Sequence, residues 1–569
     1  MKSDSGAERA QVAITGFGVS PGIVSGKVFH LTGAIAEPSK GLRLGPREDH
    51  ALVANRIDEA SAKVKADLEV AAAKATSKET REVLEATSTI AADPTLVADA
   101  RRRVQEEHLI PERAIWEAAN RVMRDFEALG GYFAERVTDI KDIRDRMIAA
   151  LSGALVPGLP ATGVPYILVA EDLAPSVAAS LDEDIVLAIV TDGAGPTSHT
   201  AIIAKEKGIP CVVAARGATE TFLPGTTILV NGSSGVVILD PTEEQIEVAH
   251  AAAGRTRTFS GRGLTKDGHH IQLLANVGDA HGAQEAAAAG AEGIGLFRTE
   301  FCFLDQQVAP TFEEQLDQYA QVFAQFPGRK VVIRTLDSGA DKPLPFMQVD
   351  PEENPALGLR GIRTVIRYPE LLDTQLRAIA AAAQSQQADV WVMAPMISTV
   401  AETEDFVARC ATHGLQTAGV MVEVPSAALL AGPILARAKF ASIGTNDLTQ
   451  YTMAADRLLG PLAELADPWQ PAMLQLIEKT ARGGAQQGRP VGICGEAASI
   501  PLLAVVLAGL GISSLSMTAR SLPDVATALA AVSLDQARFV ARLALDAESP
   551  MAGRAAVRAA LPQITELGL

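Results

Sequence analysis

The chain has 569 residues, which is too long for a single hydrophobic core and predicts three or four folding units. Its 68 acidic and 50 basic residues give a formal net charge of −18, and only 4% of its residues are aromatic. Because this balance repels phosphate backbones and offers few rings for base stacking, we expect no nucleic-acid binding.

The first predicted elements are two short strands joined by a turn, between Gln11 and Leu31. Apolar residues alternate there, Gly and Pro interrupt them, and such strands need partners further along the chain. From Glu48 to Leu151, Ala, Glu, Lys and Arg recur with a helical period, and only Pro94 and Pro111 break it strongly. We therefore predict a bundle of about four helices within residues 47–152.

Strand patterns return after this bundle and predict an α/β module over residues 153–240, completed by the N-terminal strands of residues 1–46. The strand candidates are 166–169, 185–190, 211–214, 227–230 and 236–239, with a helix candidate over 200–207. The polar, Ala-rich segment that follows predicts a helical linker over residues 241–262.

Residues 263–569 alternate between strand and helix patterns. The strand candidates end near Val277, Phe297, Leu336, Pro395, Val424, Gly444, Cys494 and Met517. Eight strands that alternate with helices are typical of a (β/α)₈ TIM-type barrel, whose active site lies at the carboxyl ends of the strands. The whole chain is therefore predicted to be a multidomain α/β protein.

Polar residues stand at or just past the carboxyl ends of five of these strands. They are Arg298, Arg334, Glu423, Asn446, Asp447 and Cys494. In a barrel these ends converge on one mouth, whereas unrelated surface residues would have no reason to share that end. We therefore predict one shared site.

The residue types at this mouth suit a transferring phosphoryl group. Arg298 and Arg334, with Arg457 in a later loop, can hold a phosphate and a carboxylate through paired N–H donors. Glu423 and Asp447 supply the hard oxygen ligands that Mg²⁺ prefers. A single arginine at a strand end is more often an ion-pair partner, so the prediction depends on the whole set.

Asn446 and Cys494 are two further candidates at this mouth, and Cys494 has two readings. Asn446 can donate a hydrogen bond to the same anion. Cys494 is by default a small buried residue, but beside an anion site it can protonate the carbon of an enolate when the phosphate leaves. We favour the role of proton donor.

A glycine-rich loop with a histidine precedes the predicted helix over 200–207. The run from Asp192 to Ala201 places His199 at a helix start, where free N–H groups favour an incoming anion. His199 is therefore a candidate phosphorylated nucleophile. Thr197, Ser198 and Thr200 can donate to phosphoryl oxygens or simply cap the helix, which is their commoner use.

Cysteine usage and the absence of an export pattern point to the cytoplasm. The four cysteines form no C-x-x-C pair, so neither a disulfide framework nor a zinc site is indicated. Residues 1–10 have no apolar core for export, and the longest apolar run, near 502–510, is shorter than the ~20 residues that a membrane helix needs.

Taken together, the motifs closely resemble enzyme I of the phosphoenolpyruvate:sugar phosphotransferase system. They are GVSPGIVSGKV, GPTSHTAIIA, GIGLFRTEFCF, VIRTLDSGADK, ENPALGLRGIR, VMVEVPSA, SIGTNDLTQY followed by Asp456-Arg457, and GICGE. The resemblance runs over nearly the whole chain.

This resemblance implies a role for each candidate residue. His199 would carry the phosphoryl group, and Glu423 with Asp447 would hold Mg²⁺. Cys494 would be the proton donor. Phosphoenolpyruvate would be bound by Arg298, Arg334, Asn446, Asp447 and Arg457.

The resemblance also implies partners. The helical bundle would bind the phosphocarrier protein HPr, the barrel would form a homodimer, and the reaction would release pyruvate as the first step of sugar uptake. Two other classes remain as alternatives: a regulator that binds phosphoenolpyruvate without catalysis, and a barrel lyase that acts on a pyruvate enolate.

Overall fold

The chain folds into two compact units, built mainly from residues up to 255 and from residues 256–567. The computed structural model describes residues 12–569 except 21, 33–34, 46, 75–77, 130–135, 157, 161, 194–197, 233–234, 244, 248–256, 304–305, 339–343, 348–351 and 457–459. Within these limits, no helix combines the length and the apolar character needed to cross a membrane. Residues 244 and 248–256 of the predicted helical linker over 241–262 fall outside the described residues. Residues 243 and 245–247 are helical, whereas residues 257–262 form no helix.

One mixed sheet lies in the first unit. Its strands are β1 (Ala13–Thr15), β2 (Phe17–Ser20), β3 (Ile23–Phe29), β4 (Tyr166–Ala170), β5 (Val186–Thr191), β6 (Cys211–Val213), β7 (Thr227–Asn231) and β8 (Val236–Leu239), in the order β1-β8-β7-β3-β4-β5-β6-β2. The strands from β3 through β6 run parallel, and the remaining pairs are antiparallel. The N-terminal strands complete the sheet, as predicted.

The N-terminal segment forms three strands rather than the predicted two. The chain passes from one edge of the sheet to the other at Gly16, because β1 pairs with β8 and β2 pairs with β6. The Gly16 N–H donates to the Gly235 carbonyl at 2.8 Å. A Cβ at Gly16 would lie 2.5 Å from the Val213 carbonyl oxygen, so this close approach requires glycine.

Five helices, rather than about four, are described between β3 and β4. They are α1 (His50–Lys74), α2 (Lys78–Ala91), α3 (Pro94–Glu106), α4 (Pro111–Leu129) and α5 (Val137–Ser152). Residues 75–77, between α1 and α2, lie outside the described residues. The helices α6 (Pro175–Ala179), α7 (His199–Lys207) and α8 (Ala218–Thr221) connect the later strands, and α7 confirms the helix predicted over 200–207.

The two prolines that the sequence marks as breaks each begin a helix. Asp93 precedes Pro94, and its carboxylate accepts the N–H groups of Thr95 and Leu96 at 2.7 and 3.3 Å. Proline suits the first helical position because its missing N–H would have no partner there. The helices bury a core of their own that includes Ile57, Leu84, Leu96, Ile115, Ile143 and Met147.

Asp139 of α5 gives the first unit a pH-dependent stability. Burial raises the pKa of this carboxyl to about 6, although the Arg136 guanidinium pairs with it at 2.9 Å. The folded state therefore binds more protons than the unfolded state between about pH 4 and 6, and its stability falls as the pH rises through that window. We expect the unfolding free energy of the wild type to fall relative to Asp139→Asn by on the order of 2 kcal/mol between pH 4 and 7. Chemical denaturation at both pH values measures this difference, and a constant difference would contradict it.

The second unit is a closed barrel of eight parallel strands. They are β9 (Gln272–Val277), β10 (Ile294–Arg298), β11 (Lys330–Arg334), β12 (Asp389–Ala394), β13 (Ala418–Val422), β14 (Ala441–Ile443), β15 (Val491–Ile493) and β16 (Ser514–Met517). Each strand ends within two residues of its predicted end. The TIM-type barrel is therefore confirmed.

Helices follow the barrel strands and continue to the C-terminus. They are α9 (Ala280–Ala288), α10 (Phe312–Phe323), α11 (Pro369–Gln386), α12 (Val400–Thr412), α13 (Pro425–Leu429), α14 (Ala431–Leu435), α15 (Thr445–Met453), α16 (Pro471–Gln487), α17 (Pro501–Gly509), α18 (Leu522–Ala530), α19 (Leu534–Leu545), α20 (Pro550–Ala560) and α21 (Pro562–Glu566). Short 3₁₀ turns occupy Thr299–Cys302, Pro355–Leu357, Gly361–Ile366, Gly460–Ala466, Glu496–Ser499 and Ala519–Ser521. The apolar run near 502–510 forms α17, which is buried against the barrel core.

Side chains fill the interior of the barrel. Leu296, Val332, Met393, Met421, Phe440 and Cys494 pack together there, with Trp391 against them. Because the barrel is filled, its polar chemistry is confined to the carboxyl ends of the strands.

Candidate active site

The carboxyl ends of β10 and β11 bring two arginines side by side. Arg298 and Arg334 are the last residues of these strands and are direct partners in the parallel pairing. Loss of surrounding water and the neighbouring charge of Arg334 both lower the pKa of Arg298, although the residue is still exposed at the open mouth. An anion bound between them would relieve this repulsion.

Two carboxylates hold the Arg334 guanidinium in place. Glu300 Oε2 lies 3.0 Å from Nη2, and Asp337 Oδ2 lies 3.3 Å from Nη1. Burial opposes the charged form, but these carboxylates outweigh it and raise the pKa of Arg334. The arginine is therefore a fixed cation whose orientation is set before any ligand arrives.

Arg360 is a third arginine at the mouth, and it was not among the predicted site residues. Its Nη1 donates to Asp447 Oδ1 and to the Tyr451 hydroxyl, each at 3.3 Å, and its Nη2 donates to Asp337 Oδ2 at 3.3 Å. It comes from the long loop between β11 and α11 rather than from a strand end. The sequence signal was its place in the motif ENPALGLRGIR, since strand ends alone could not have found it.

Glu423 is a buried carboxylate one residue past β13. Its Oε1 accepts the N–H of Met396 at 2.6 Å. Burial, together with the nearby carboxylates of Asp337 and Asp447, raises its pKa to about 8. A group in this setting is stabilised by an added cation, since a cation offsets both the burial and the repulsion.

Three buried polar atoms at this mouth have no hydrogen-bond partner among the described residues. They are Arg334 Nε, Arg360 Nε and Asp337 Oδ1. Such atoms cost free energy unless a ligand or water satisfies them. Two donors and one acceptor fit a ligand that carries anionic oxygens together with a cation. In the described part of the chain, no three His, Cys, Asp or Glu side chains form a ready-made metal cage.

Asn446 and Cys494 line the same end of the barrel. The Asn446 Oδ1 accepts the N–H of Glu496 at 3.3 Å, which leaves its amide N–H₂ as the group able to meet an anion. Cys494 directly follows β15, and its thiol donates to the Ile443 carbonyl at 3.7 Å. Burial raises the pKa of Cys494 to about 11, so the thiol keeps its proton at neutral pH. Arg457 lies outside the described residues.

His199 belongs to the first unit and is the first residue of α7. Ser198 is the N-cap, and its hydroxyl accepts the Ala201 N–H at 3.3 Å. The Thr200 hydroxyl donates to Asp172 Oδ1 at 3.1 Å. Ser198 thus has the capping role, and Thr200 ties the helix to the loop after β4. Thr197 lies outside the described residues.

The chain is similar to known PEP-utilising enzymes over most of its length. The chain matches three PEP-utilising enzyme families, described as N-terminal over residues 15–136, mobile domain over 163–235 and PEP-binding domain over 253–534. It is 44% identical to a phosphoenolpyruvate-protein phosphotransferase of Streptomyces coelicolor, over 97% of this chain and 99% of that protein. A Bacillus subtilis protein of the same name is 35% identical, over 92% of this chain and 95% of its own length.

Among solved structures, the NMR solution structure of an Enzyme I protein (nEIt) is 28% identical, with a TM-score of 0.35. It covers 42% of this chain and is itself covered over 97% of its length. The extent and identity of the sequence matches decide the family. The chain belongs to the phosphoenolpyruvate-protein phosphotransferases, the enzyme I family of PEP-utilising enzymes.

Proposed function

We propose that this phosphotransferase takes the phosphoryl group of phosphoenolpyruvate onto His199, passes it to the carrier protein HPr and releases pyruvate. The observation that carries the proposal is the barrel mouth, where buried arginines with unpartnered N–H groups face buried carboxylates. Phosphoryl transfer needs little covalent help from a protein but requires positioning and charge stabilisation of this kind.

The substrate would be held by the arginines and the neighbouring amide. Arg298 and Arg334 bind the phosphate, helped by Arg457 and Asn446, and Asp447 completes the substrate site. Arg360 joins this set because its unpartnered Nε lies in the same mouth. Paired N–H donors recognise both the phosphate and the carboxylate of phosphoenolpyruvate.

Mg²⁺ is the proposed cofactor, and membership of the family is consistent with a divalent metal. Glu423 and Asp447 would hold it through hard oxygen ligands, and substrate oxygens would complete the shell. When bound, the cation supplies charge neutralisation for the phosphoryl oxygens. The raised pKa of Glu423 supports this assignment, because a carboxylate that is costly to ionise alone is relieved by a cation.

The reaction begins when a ring nitrogen of neutral His199 attacks phosphorus. The N–P bond forms as the bond from phosphorus to the enol oxygen breaks, and the electron pair remains on the pyruvate enolate. The Cys494 thiol then gives its proton to the enolate carbon, and water restores the thiol. For this step the His199 ring has to reach the barrel mouth, and to deliver the phosphoryl group it has to leave it.

The role of Cys494 predicts a selective defect. We expect Cys494→Ala to slow pyruvate formation by about 10²-fold, since a positioned general acid contributes at least that much. Phosphoenolpyruvate affinity should stay within about threefold of the wild type. Cys410→Ala is the matched control, because Cys410 is another buried free cysteine of the second unit. Pyruvate formation at the wild-type rate in Cys494→Ala would remove the thiol from the mechanism.

The wider context is also part of the proposal. The helical bundle over 47–152 would bind HPr. The other proposed domains are the α/β module in 1–46 and 153–240, the linker over 241–262 and the barrel over 263–569. The barrel would form the homodimer. The enzyme would act in the cytoplasm, where its reaction would be the first step of sugar uptake. The acidic net charge of −18 supports a basic protein partner.

Labelled phosphoenolpyruvate separates this function from its two rivals. Incubation with Mg²⁺ should give an acid-labile, base-stable label on the protein, and His199→Ala should carry none. A regulator would bind the substrate without any label. A lyase would turn the substrate over without any label, and either result would overturn the proposal.

A further inference from the structure

A buried network of polar side chains lies behind the two arginines of the mouth. Its members are Gln315, Tyr319, Gln375 and Thr299, each of which is at most 1% exposed. Gln315 and Tyr319 belong to α10, Gln375 to α11, and Thr299 directly follows the arginine that ends β10. The network therefore joins two helices to the carboxyl ends of two strands.

Gln375 stands at the centre of this network and uses its whole amide. Its Oε1 accepts the Leu336 N–H at 2.9 Å. Its Nε2 donates to Thr299 Oγ1 at 3.2 Å and to the Tyr319 hydroxyl at 3.1 Å. The Leu336 N–H can only donate, so it fixes the amide orientation and forces both Nε2 hydrogens toward the two hydroxyls.

The proton directions remain consistent beyond Gln375. Thr299 receives one hydrogen bond and donates its own proton to the Arg334 carbonyl at 2.8 Å. Tyr319 likewise donates to Gln315 Oε1 at 3.0 Å, and Gln315 donates to the Pro310 carbonyl at 2.9 Å. A fully satisfied buried network of this kind is rigid, because moving any member leaves a buried group unpaired.

Gln375 forms hydrogen bonds with residues that follow each of the two arginines in the chain. Thr299 is the neighbour of Arg298 in the chain, and Leu336 lies two residues after Arg334. One amide therefore ties together the two strand ends that carry the arginines. The rest of the inward face of α11 is apolar, with Leu372, Leu376 and Ile379 buried beside Gln375. A polar residue at such a position costs stability unless its bonds serve another purpose.

We propose that Gln375 is a positioning residue that sets the spacing of Arg298 and Arg334 for phosphoenolpyruvate. It does not touch the substrate; it acts through Thr299 and the backbone after Arg334. The inference rests on the proposed substrate site, since it concerns how that site is held. Errors of about 1 Å in such groups can cost on the order of 10²-fold in rate.

The test measures phosphoenolpyruvate affinity by isothermal titration calorimetry with Mg²⁺ in a His199→Ala background, where no phosphoryl transfer can follow binding. We expect Gln375→Leu to weaken binding at least about tenfold. Thr299→Val keeps the shape of the side chain but loses both of its hydrogen bonds. This variant should also bind phosphoenolpyruvate more weakly. If Gln375→Leu does not fold, the affinity of Thr299→Val decides whether the proposal holds.

Tyr319→Phe is the matched control, because it removes two buried hydrogen bonds of the network, neither of them to a strand end. It also keeps the ring that packs edge-on against Phe297 of β10. Its melting temperature should fall about as much as that of Thr299→Val, which also loses two hydrogen bonds, while its affinity stays within about threefold of the parent. Equal losses of affinity in Tyr319→Phe and Gln375→Leu would show a general packing role and overturn the proposal. So would unchanged affinity in both Gln375→Leu and Thr299→Val.

These outcomes are separable from those that test the proposed function. If the parent chain binds phosphoenolpyruvate but the wild type never forms phosphohistidine, the proposed function fails while the role of Gln375 is still decided by affinity. A parent chain that binds no phosphoenolpyruvate at all overturns both.

Discussion

Replacing Arg334 by alanine should reduce the rate of His199 phosphorylation by 10²-fold or more, on the order of the loss seen when a fixed donor to a developing anion is removed. Arg334 is held by Glu300 and Asp337 before substrate binds, so its charge needs no reorganisation during the reaction. Its removal also takes away the cation that pairs with Glu300, whereas Asp337 keeps its ion pair with Arg360. The defect should therefore appear in substrate binding and in the chemical step together.

Arg554→Ala is the matched control for this prediction. Arg554 also pairs with a carboxylate in the second unit, at 2.9 Å from Asp467, but it lies on α20 near the C-terminus. It should lose stability without a comparable loss of rate. Single-turnover phosphorylation by quenched flow measures both variants, and a near wild-type rate in Arg334→Ala would remove this arginine from the mechanism.

Glu423→Gln should lose activity and gain stability. The amide cannot supply the charge that a divalent cation needs, so we expect phosphorylation to fall by about 10²-fold and to require far more Mg²⁺. In the absence of metal, the wild-type carboxyl has a pKa of about 8 in the folded state, against a usual value of 4.5. The folded state thus binds more protons than the unfolded state between these values, and wild-type stability falls as the pH rises from about 4.5 to 8. The glutamine variant has no carboxyl to ionise, so its folding stability does not fall in this way as the pH rises.

Two measurements on Glu423→Gln check the prediction. A Mg²⁺ titration of the phosphorylation rate, repeated with Mn²⁺, gives the metal requirement. Metal-free unfolding at pH 6 and pH 8 gives the stability. Glu292→Gln is the control, because Glu292 is a well-shielded carboxylate at the opposite end of the barrel, where it accepts the N–H groups of Gly263 and Leu273. Unchanged metal dependence in Glu423→Gln would exclude it as a ligand.

The barrel and part of its site could be predicted because the functional residues stand at regular places in the alternating pattern of strands and helices. Eight strands alternate with helices, and the carboxyl ends of parallel strands must meet, so Arg298, Arg334 and Glu423 could be assigned to one mouth from their positions alone. Their proximity in the structure follows from the parallel register, in which Arg298 and Arg334 are partners.

The groups that hold those residues could not be predicted in the same way. Asp337 and Arg360 come from the loop between β11 and α11, and Gln375 comes from the middle of a helix. Their importance lies in burial and in hydrogen bonds to distant parts of the chain, and neither property has a sequence period.

The most direct test of the whole mechanism is the stoichiometry of a single turnover. With Mg²⁺ and excess phosphoenolpyruvate, without HPr, phosphorus NMR of the wild-type chain should show one phosphohistidine formed and one phosphoenolpyruvate consumed per chain. A lactate dehydrogenase assay of the same sample should find one pyruvate per chain, after which the reaction stops. His199→Ala should show neither. Continuous pyruvate formation without a phosphohistidine signal, or a signal that persists in His199→Ala, would contradict the central role of this histidine.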